Sequence, residues 1–383
     1  MTGRRAMDIC KATRDYEGWL ATRIRLIPQD LDRKHLAMAK DAFSFLRATF
    51  YRWMQLWSDV CPSCEDAPQV LGAGDLHIEN FGTWRDIEGR LVWGINDFDE
   101  SCDLPYTLDL VRLAASAHLA IGEEKLKITP RDACSSIMDG YKKCLTDGGR
   151  PFVLSEHHSW LRETVSETLR DPEKFWAKLD SLPTLKTPIP PSARTALEKL
   201  FPDSRVDYRV VHRIAGLGSL GRERYLALAD YCGGKMAREA KAVAPSAVIW
   251  ASRKRKSGRV RYQEVLNSAV RSCDPFVRLK GRWIVRRLAP DCSRVELTSL
   301  PKERDESRLL YSMGFEIANV HLGNVKTAKE ILKDLRNRPG NWLHQAAASM
   351  VERTLKDWRA WRENAPSLSR MTTPERSETL DAV

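Results

Sequence analysis

The 383-residue chain holds no stretch of about 20 consecutive apolar residues, so a membrane-spanning helix is not expected. Its first residues, among them Arg4, Arg5, Asp8 and Lys11, contain no apolar core of signal-peptide length, and a cytoplasmic location is expected. No heptad array and no internal repeat occurs, which argues against a coiled coil or a solenoid. No Gly-Lys-Ser/Thr closes its glycine-rich motif, which excludes a Walker-type phosphate loop. Nine cysteines stand at irregular spacing, a number and pattern that fit free thiols in a reducing compartment. Cys61-Pro62-Ser63-Cys64 has the CxxC form, but no second CxxC or nearby Cys/His pair completes four ligands, which leaves a redox pair as the alternative to two unlinked thiols.

A hydrophobic content of 43% is enough for a substantial core and for two lobes. The net charge of +11 suits an anionic partner such as a nucleotide, a nucleic acid or an acidic protein, or marks a basic soluble protein and nothing more. One dense cationic run, Arg253-Lys254-Arg255-Lys256 with Arg259 and Arg261, reads as a solvated loop, with nucleic-acid contact as the lesser alternative.

Apolar periodicity predicts helices over 35–58, 106–122, 129–145, 156–178, 260–271, 304–322 and 340–362. Strands are predicted at Arg209–Ala215, Arg222–Ala229, Phe276–Leu279 and Trp283–Leu288, after a Pro/Thr/Ser-rich linker at 182–192. The fold class is α+β. Residues 1–200 form a helical lobe carrying one hairpin, 201–295 a smaller antiparallel β-rich lobe, and 296–365 helices that complete the first lobe. A polar tail, 366–383, is expected to be disordered.

The chemistry concentrates in two segments, Gly74-Asp75-Leu76-His77-Ile78-Glu79-Asn80 and Ile95-Asn96-Asp97-Phe98-Asp99-Glu100. Between them, Phe81–Trp84 and Arg90–Ile95 read as a hairpin with Glu88-Gly89 near its tip. A regular hairpin centred there sets Asn80 opposite Asp97, with Asp75 just upstream. A loop Asp and Asn followed by a hairpin that returns an Asp is how kinases hold Mg-ATP beside a catalytic carboxylate. Asp75 is the candidate base, with a turn or capping Asp as the plain alternative. Asn80 and Asp97 are candidate Mg²⁺ ligands, with a polar cross-strand pair as the alternative; Asp99 and Glu100 lie close enough to substitute.

Gly216-Leu217-Gly218-Ser219-Leu220-Gly221 matches GxGxxG and lies between two predicted strands, as in kinases rather than dinucleotide-binding folds. Glycine lets backbone amides approach phosphate oxygens without a Cβ in the way, so Gly216, Gly218, Ser219 and Gly221 are candidate nucleotide contacts; an ordinary turn is the alternative. Lys241, on the strand that follows, is the candidate cation for the phosphates, with Lys235 as competitor and Glu264 as a candidate partner. His77 is expected to orient the loop through a hydrogen bond, Arg47 to pair with a nearby carboxylate or lie at the surface, and Asp109 to brace the loop.

The Gly74-Asp75-x-His77-x-x-Asn80 loop, the Asp97-Phe98 pair and the Asp103–Tyr106 and Asp109-Leu110 segments resemble aminoglycoside-phosphotransferase-like kinases. Phe45–Arg47, Gly74–Gly82, Ile95–Glu100, Leu110–Ser116, Gly216–Gly221 and Lys241 with Pro245-Ser246 are also similar to an uncharacterised bacterial family, the domain-of-unknown-function 2252 family. Such kinases often carry a His where Ala73 stands, and their glycine-rich lobe precedes the catalytic loop, whereas here it follows. The resemblance therefore implies a circularly permuted, two-lobed kinase-like fold. Either 305–322 or 35–58 would take the place of the helix that leads into the catalytic loop. It implies ATP and Mg²⁺ as cofactors, and a small-molecule or protein hydroxyl as acceptor. A non-catalytic nucleotide-binding scaffold is the runner-up, and a basic nucleic-acid-binding protein ranks last, since no nucleic-acid module is present.

Overall fold

The computed structural model describes residues 8–166, 169–252, 258–292, 294 and 305–364. The first strands are β1 (Gln69–Gly72), β2 (Phe81–Arg85), β3 (Leu91–Ile95), β4 (Cys102–Pro105) and β5 (Phe152–Val153). They are followed by β6 (Arg209–His212), β7 (Arg224–Tyr231), β8 (Gly234–Ala242), β9 (Arg278–Lys280) and β10 (Trp283–Leu288). All pairings are antiparallel: β1 with β4, then β2-β3-β5, then a five-stranded sheet in the order β6-β7-β8-β10-β9. With helices before, between and after the sheets, the protein is of the mixed α+β class.

The helix Tyr106–Gly122 forms the centre of the core. It begins at Pro105, is apolar almost all round, and every residue from Tyr106 to Ala120 is buried. Behind it, the helices Pro130–Asp147 and Glu306–His321 cross in backbone contact. A Cβ on Gly140 would lie 1.9 Å from the Tyr311 carbonyl oxygen, and one on Gly314 2.0 Å from that of Ile137. Only glycine permits so close a crossing.

The five-stranded sheet has two different faces. Tyr225, Ala227, Ala240, Ala242, Trp283 and Val285 join the main core. The other face is apolar at one end, where Leu226, Leu228 and Leu288 pack with Phe175 and Leu179 of the helix Pro172–Asp180. At its other end the register brings Arg224, Lys241, Glu239 and Arg286 together on neighbouring strands.

Helix 106–122 lies where periodicity predicts it. The expected helix 35–58 does not form as one piece: Pro28–Lys40, Ala42–Ala48 and Phe50–Val60 take its place. Asp41 interrupts it by turning out of helical geometry and accepting a 2.6 Å hydrogen bond from the Ser44 amide as an N-cap. The expected helix 156–178 is likewise split into Leu154–His157, Ser159–Ser166 and Pro172–Asp180, the last opened by Asp171-Pro172. Within the expected linker, the Leu185 amide donates to Val210 at 2.8 Å, so the segment extends the sheet edge before the helix Pro191–Glu198 begins. The helix Val325–Asn337, capped by Asn324, has no counterpart in the expectations. Among the described residues no helix is long and apolar enough to cross a membrane. The tail expected to be disordered lies outside the described residues.

Candidate active site

One stripe of the central helix positions the loop that carries Asp75. Asp109, Arg112 and Ser116 are spaced three and four apart and therefore share a helix face. Asp109 accepts hydrogen bonds from the amides of Ala73 (2.7 Å) and Gly74 (2.9 Å), and Ser116 accepts one from the Ile78 amide (3.1 Å). Arg112, 1% exposed, donates to one oxygen of Asp75 at 2.6 and 3.2 Å and to the Leu46 carbonyl at 2.6 Å, with its guanidinium over the Trp53 ring. Burial nonetheless raises the Asp75 carboxyl above its ordinary value, against the pull of Arg112.

The hairpin that follows is out of the expected register by one residue. Phe81 pairs with Ile95, so Asn80 meets Asn96, whose amide donates to the Asn80 carbonyl at 3.1 Å. The cause is an odd-numbered turn, 86–90, in which Asp86 accepts from the amides of Glu88 (3.0 Å) and Arg90 (2.9 Å). Asn80 still joins the two segments. Its amide nitrogen donates to the carbonyls of Asp75 (3.2 Å) and Asp97 (3.1 Å), and among the described residues its amide oxygen takes no hydrogen bond.

Lys241 arrives from β8. Its ammonium lies 3.0 Å from Asp97 and 2.7 Å from Asp99. Burial would raise the Asp97 carboxyl, but Lys241, Asp99 and Arg286 together outweigh it and hold the group below its ordinary value; burial and the neighbouring Asp97 push Asp99 up. One oxygen of Asp99 is buried with no hydrogen-bond partner among the described residues. Glu100 closes the run, bound by Arg222 at 3.0 Å and by the Ala247 amide at 2.6 Å. Glu264 does not meet Lys241. It pairs with Arg261 and with Arg259, at 2.8 Å for the latter, on the outside of its short helix.

Two residues before Lys241 on the same face stands Glu239, fully buried. Arg213, Arg224 (2.8 Å) and Arg286 (2.9 Å) surround it. Burial pushes its carboxyl up, but the three guanidinium groups hold it well below the usual range. Arg224 also donates to the Ser219 hydroxyl at 2.8 Å and so ties this cluster to the glycine segment.

That segment is a single 3-10 turn, Leu217–Ser219, between β6 and β7, flanked by Gly216 and Gly221 at φ +75° and +92°. It does not stand away as a flap. A Cβ on Gly218 would lie 3.3 Å from an Asp75 oxygen and 3.1 Å from the Arg47 carbonyl, and Lys34 donates to the Gly218 carbonyl at 3.1 Å. Burial pushes the Lys34 ammonium down to about 8. Asp75, Gly218, Asn80, Asp97 and Lys241 therefore share one neighbourhood, although more than a hundred residues separate the two motifs. Lys235 is elsewhere, paired with Asp180 at 2.7 Å.

Residues 25–175 match the model of a family described as "Uncharacterized protein conserved in bacteria (DUF2252)". No curated protein and no solved structure matches the chain. The matched segment, under half of the chain, holds Asp75, Asn80, Asp97 and the Asp109–Arg112–Ser116 stripe, and ends before the glycine turn and Lys241.

The surrounding cleft has a volume of about 810 Å³. Its lining is rich in cations, among them Lys34, Arg213, Arg271 and Arg294, and includes the apolar side chains of Phe175, Leu179 and Leu288. Among the described residues the His77 ring makes no hydrogen bond that would orient the loop. Its Nδ1 is buried without a partner among the described residues, and the ring packs edge-on against Phe43. Arg47 pairs with Glu79 at 2.6 Å. Cys61 and Cys64 are buried free thiols, both pushed up chiefly by burial, Cys61 to about 12. Of the dense basic run, 253–257 lie outside the described residues.

Sequence reasoning did not single out Arg112, Ser116, Lys34 or Glu239 with its arginines. The first two had a signal: polar residues at helical spacing in an otherwise apolar helix. Glu239 had a weaker one, its place two residues before Lys241 on a strand.

Proposed function

We propose that the cleft binds ATP with Mg²⁺ and transfers a phosphoryl group to a hydroxyl acceptor, in a kinase-like arrangement whose two parts occur in permuted order. The carrying observation is the meeting of Lys241 with Asp97 and Asp99 at 2.7–3.0 Å, beside a glycine turn seated on Asp75.

The donor set fits Mg²⁺. Asp97, the Asp99 oxygen without a hydrogen-bond partner among the described residues and the Asn80 amide oxygen are hard ligands of the kind Mg²⁺ takes, beside the edge of the two carboxylates that Lys241 already bridges. When bound, Mg²⁺ neutralises charge on the phosphates and fixes their orientation. Lys241 and Lys34 supply cations for phosphate oxygens, and Phe175, Leu179 and Leu288 offer an apolar bed for a base. Asp75, positioned by Arg112, accepts the proton of the attacking hydroxyl; a carboxyl raised by burial is better matched to that task than a solvated one. The neighbouring cations favour anionic ligands over neutral ones.

One observation favours a second reading, a nucleotide-binding scaffold without turnover: one oxygen of Asp75 is held by Arg112 and the Gly218 turn lies close to the other, which narrows the approach of an acceptor to the carboxylate. A thermal-shift titration with ATP, with and without Mg²⁺, tests both. A ligand at about 100 times its Kd adds roughly 2.7 kcal/mol. The proposal expects a Mg²⁺-dependent shift that disappears in Asp97→Ala. It also expects loss of ATP turnover in Asp75→Asn with the nucleotide shift retained. A wild-type shift without turnover supports the scaffold, and no shift with any nucleotide refutes both.

A further inference from the structure

Away from the cleft, three helices bring a second set of ligand-type side chains together. His118 lies near the end of the helix Tyr106–Gly122, Cys134 in the second turn of Pro130–Asp147, and His344 in the first turn of Trp342–Asn364. One ligand atom from each falls within 4.8 Å of the others. His118 Nε2 is 3.3 Å from Cys134 Sγ. Zinc–nitrogen and zinc–sulfur bonds in tetrahedral geometry set such atoms about 3.5 Å apart, so this edge is already at the separation a bound ion would require. The two imidazoles lie 5.2 Å apart by ring centroid.

The surroundings support a ligand. His344 Nδ1 is buried with no partner among the described residues, which is costly for an imidazole, and a metal ion would give that ring a bond. Cys134 and His118 are both nearly enclosed, whereas His344 keeps partial contact with solvent and provides an entry path. No fourth Asp, Glu, His or Cys joins the group among the described residues. The set is two nitrogens and one sulfur, soft enough to reject Mg²⁺ and Ca²⁺. Three protein ligands with one position left for water is the pattern of an open zinc site.

We infer that His118, Cys134 and His344 form a binding site for a single Zn²⁺ ion, which clamps three helices of the core independently of the nucleotide cleft. None of the three residues lines that cleft, so the inference does not depend on the proposed phosphotransfer.

Full-length protein, stripped with a chelator, is titrated first with Co²⁺ and then with Zn²⁺. The expected result is one equivalent of Co²⁺ with a thiolate-to-cobalt charge-transfer band, displacement of that band by Zn²⁺, and a rise in melting temperature with Zn²⁺. Cys134→Ser should abolish the band. His344→Gln, at a partly exposed position where folding is expected to survive, should weaken binding by roughly a hundredfold or more. Cys64→Ser should change nothing. Far-UV circular dichroism establishes that each variant is folded; if Cys134→Ser is not, His344→Gln decides alone. Absence of the band in the wild type, or an unchanged affinity in folded His344→Gln, overturns the site.

Discussion

Replacing Lys241 by methionine keeps the length of the side chain and removes its charge. The wild-type ammonium is 2% exposed and is shared between Asp99, 10% exposed, and Asp97, 35% exposed. Removing one partner of a buried ion pair costs about 3–5 kcal/mol, because the remaining charge stays buried and uncompensated. The partial exposure of Asp97 puts the expected loss at the lower end, about 3 kcal/mol. The loss should depend on pH in a definite direction. In the wild type Lys241 depresses the Asp97 carboxyl below its ordinary 3.8, which gives stability that is present above 3.8 and fades as pH falls through the folded value. Without Lys241, Asp97 and Asp99 face each other with no cation between them, and protonation of one relieves the repulsion. The deficit of Lys241→Met is therefore full at about pH 7.5 and smaller at about pH 4.5. Urea unfolding followed by tryptophan fluorescence, for both proteins at both pH values, measures it as a difference in midpoint at constant slope. An equal deficit at the two pH values would refute the electrostatic account and leave Lys241 as a packing residue.

Glu316 gives the opposite pH dependence. Burial raises its carboxyl from 4.5 to about 7, so the native state holds its proton more tightly than the unfolded chain and stability should fall as pH rises from about 4.5 to 7, by on the order of 3 kcal/mol. Glu316→Gln should flatten that part of the stability–pH curve, and an unchanged slope counts against the assignment. Gly314→Ala should lower stability by about 3 kcal/mol or more, since the added methyl meets the Ile137 carbonyl and the two helices must separate. Gly122→Ala has open space around it and should be neutral or stabilising, so equal melting temperatures for the two variants would contradict the crossing geometry.

The parts of the fold that could be read in advance are those set by local chemistry. Pro105, an apolar run and Gly122 bound the central helix, and the glycines between two alternating segments give a strand–turn–strand unit. Asp41 and Thr49 were not readable as breaks, because in an amphipathic pattern they look like ordinary polar positions; capping and local hydrogen bonding decide them. The hairpin register failed by one residue because Asp86 builds a turn centred on Glu88, whereas the expected centre lay between Glu88 and Gly89. At the candidate site, Asp75, Asn80 and Asp97 stood out by spacing, and Lys241 as the better placed of two lysines after the glycine motif, but their partners did not. Lys241 meets Asp97 across 144 positions of sequence, and no local pattern distinguishes that pairing from one with Glu264. Arg112 was hidden in plain view, since an arginine on an apolar helix reads as a surface residue until the loop above it is placed.

The acidic run that follows the hairpin also constrains the order in which the molecule can assemble. Asp97, Asp99 and Glu100 receive their counter-charges and amide donors from Arg222, Lys241 and Ala247, all made long after them during synthesis. A nascent chain ending near residue 200 carries the loop, the hairpin and the central helix but none of those partners, and must keep these acids in water or protonate them. The stretch resembling the bacterial family, which stops at residue 175, is therefore not a unit that can fold to completion alone. Final closure of the first half waits on residues 222–247 of the second, a pairing of distant segments, for which slow folding is the general rule. Truncations that preserve the whole matched segment would then fail to give a native first half, whatever chemistry its residues perform.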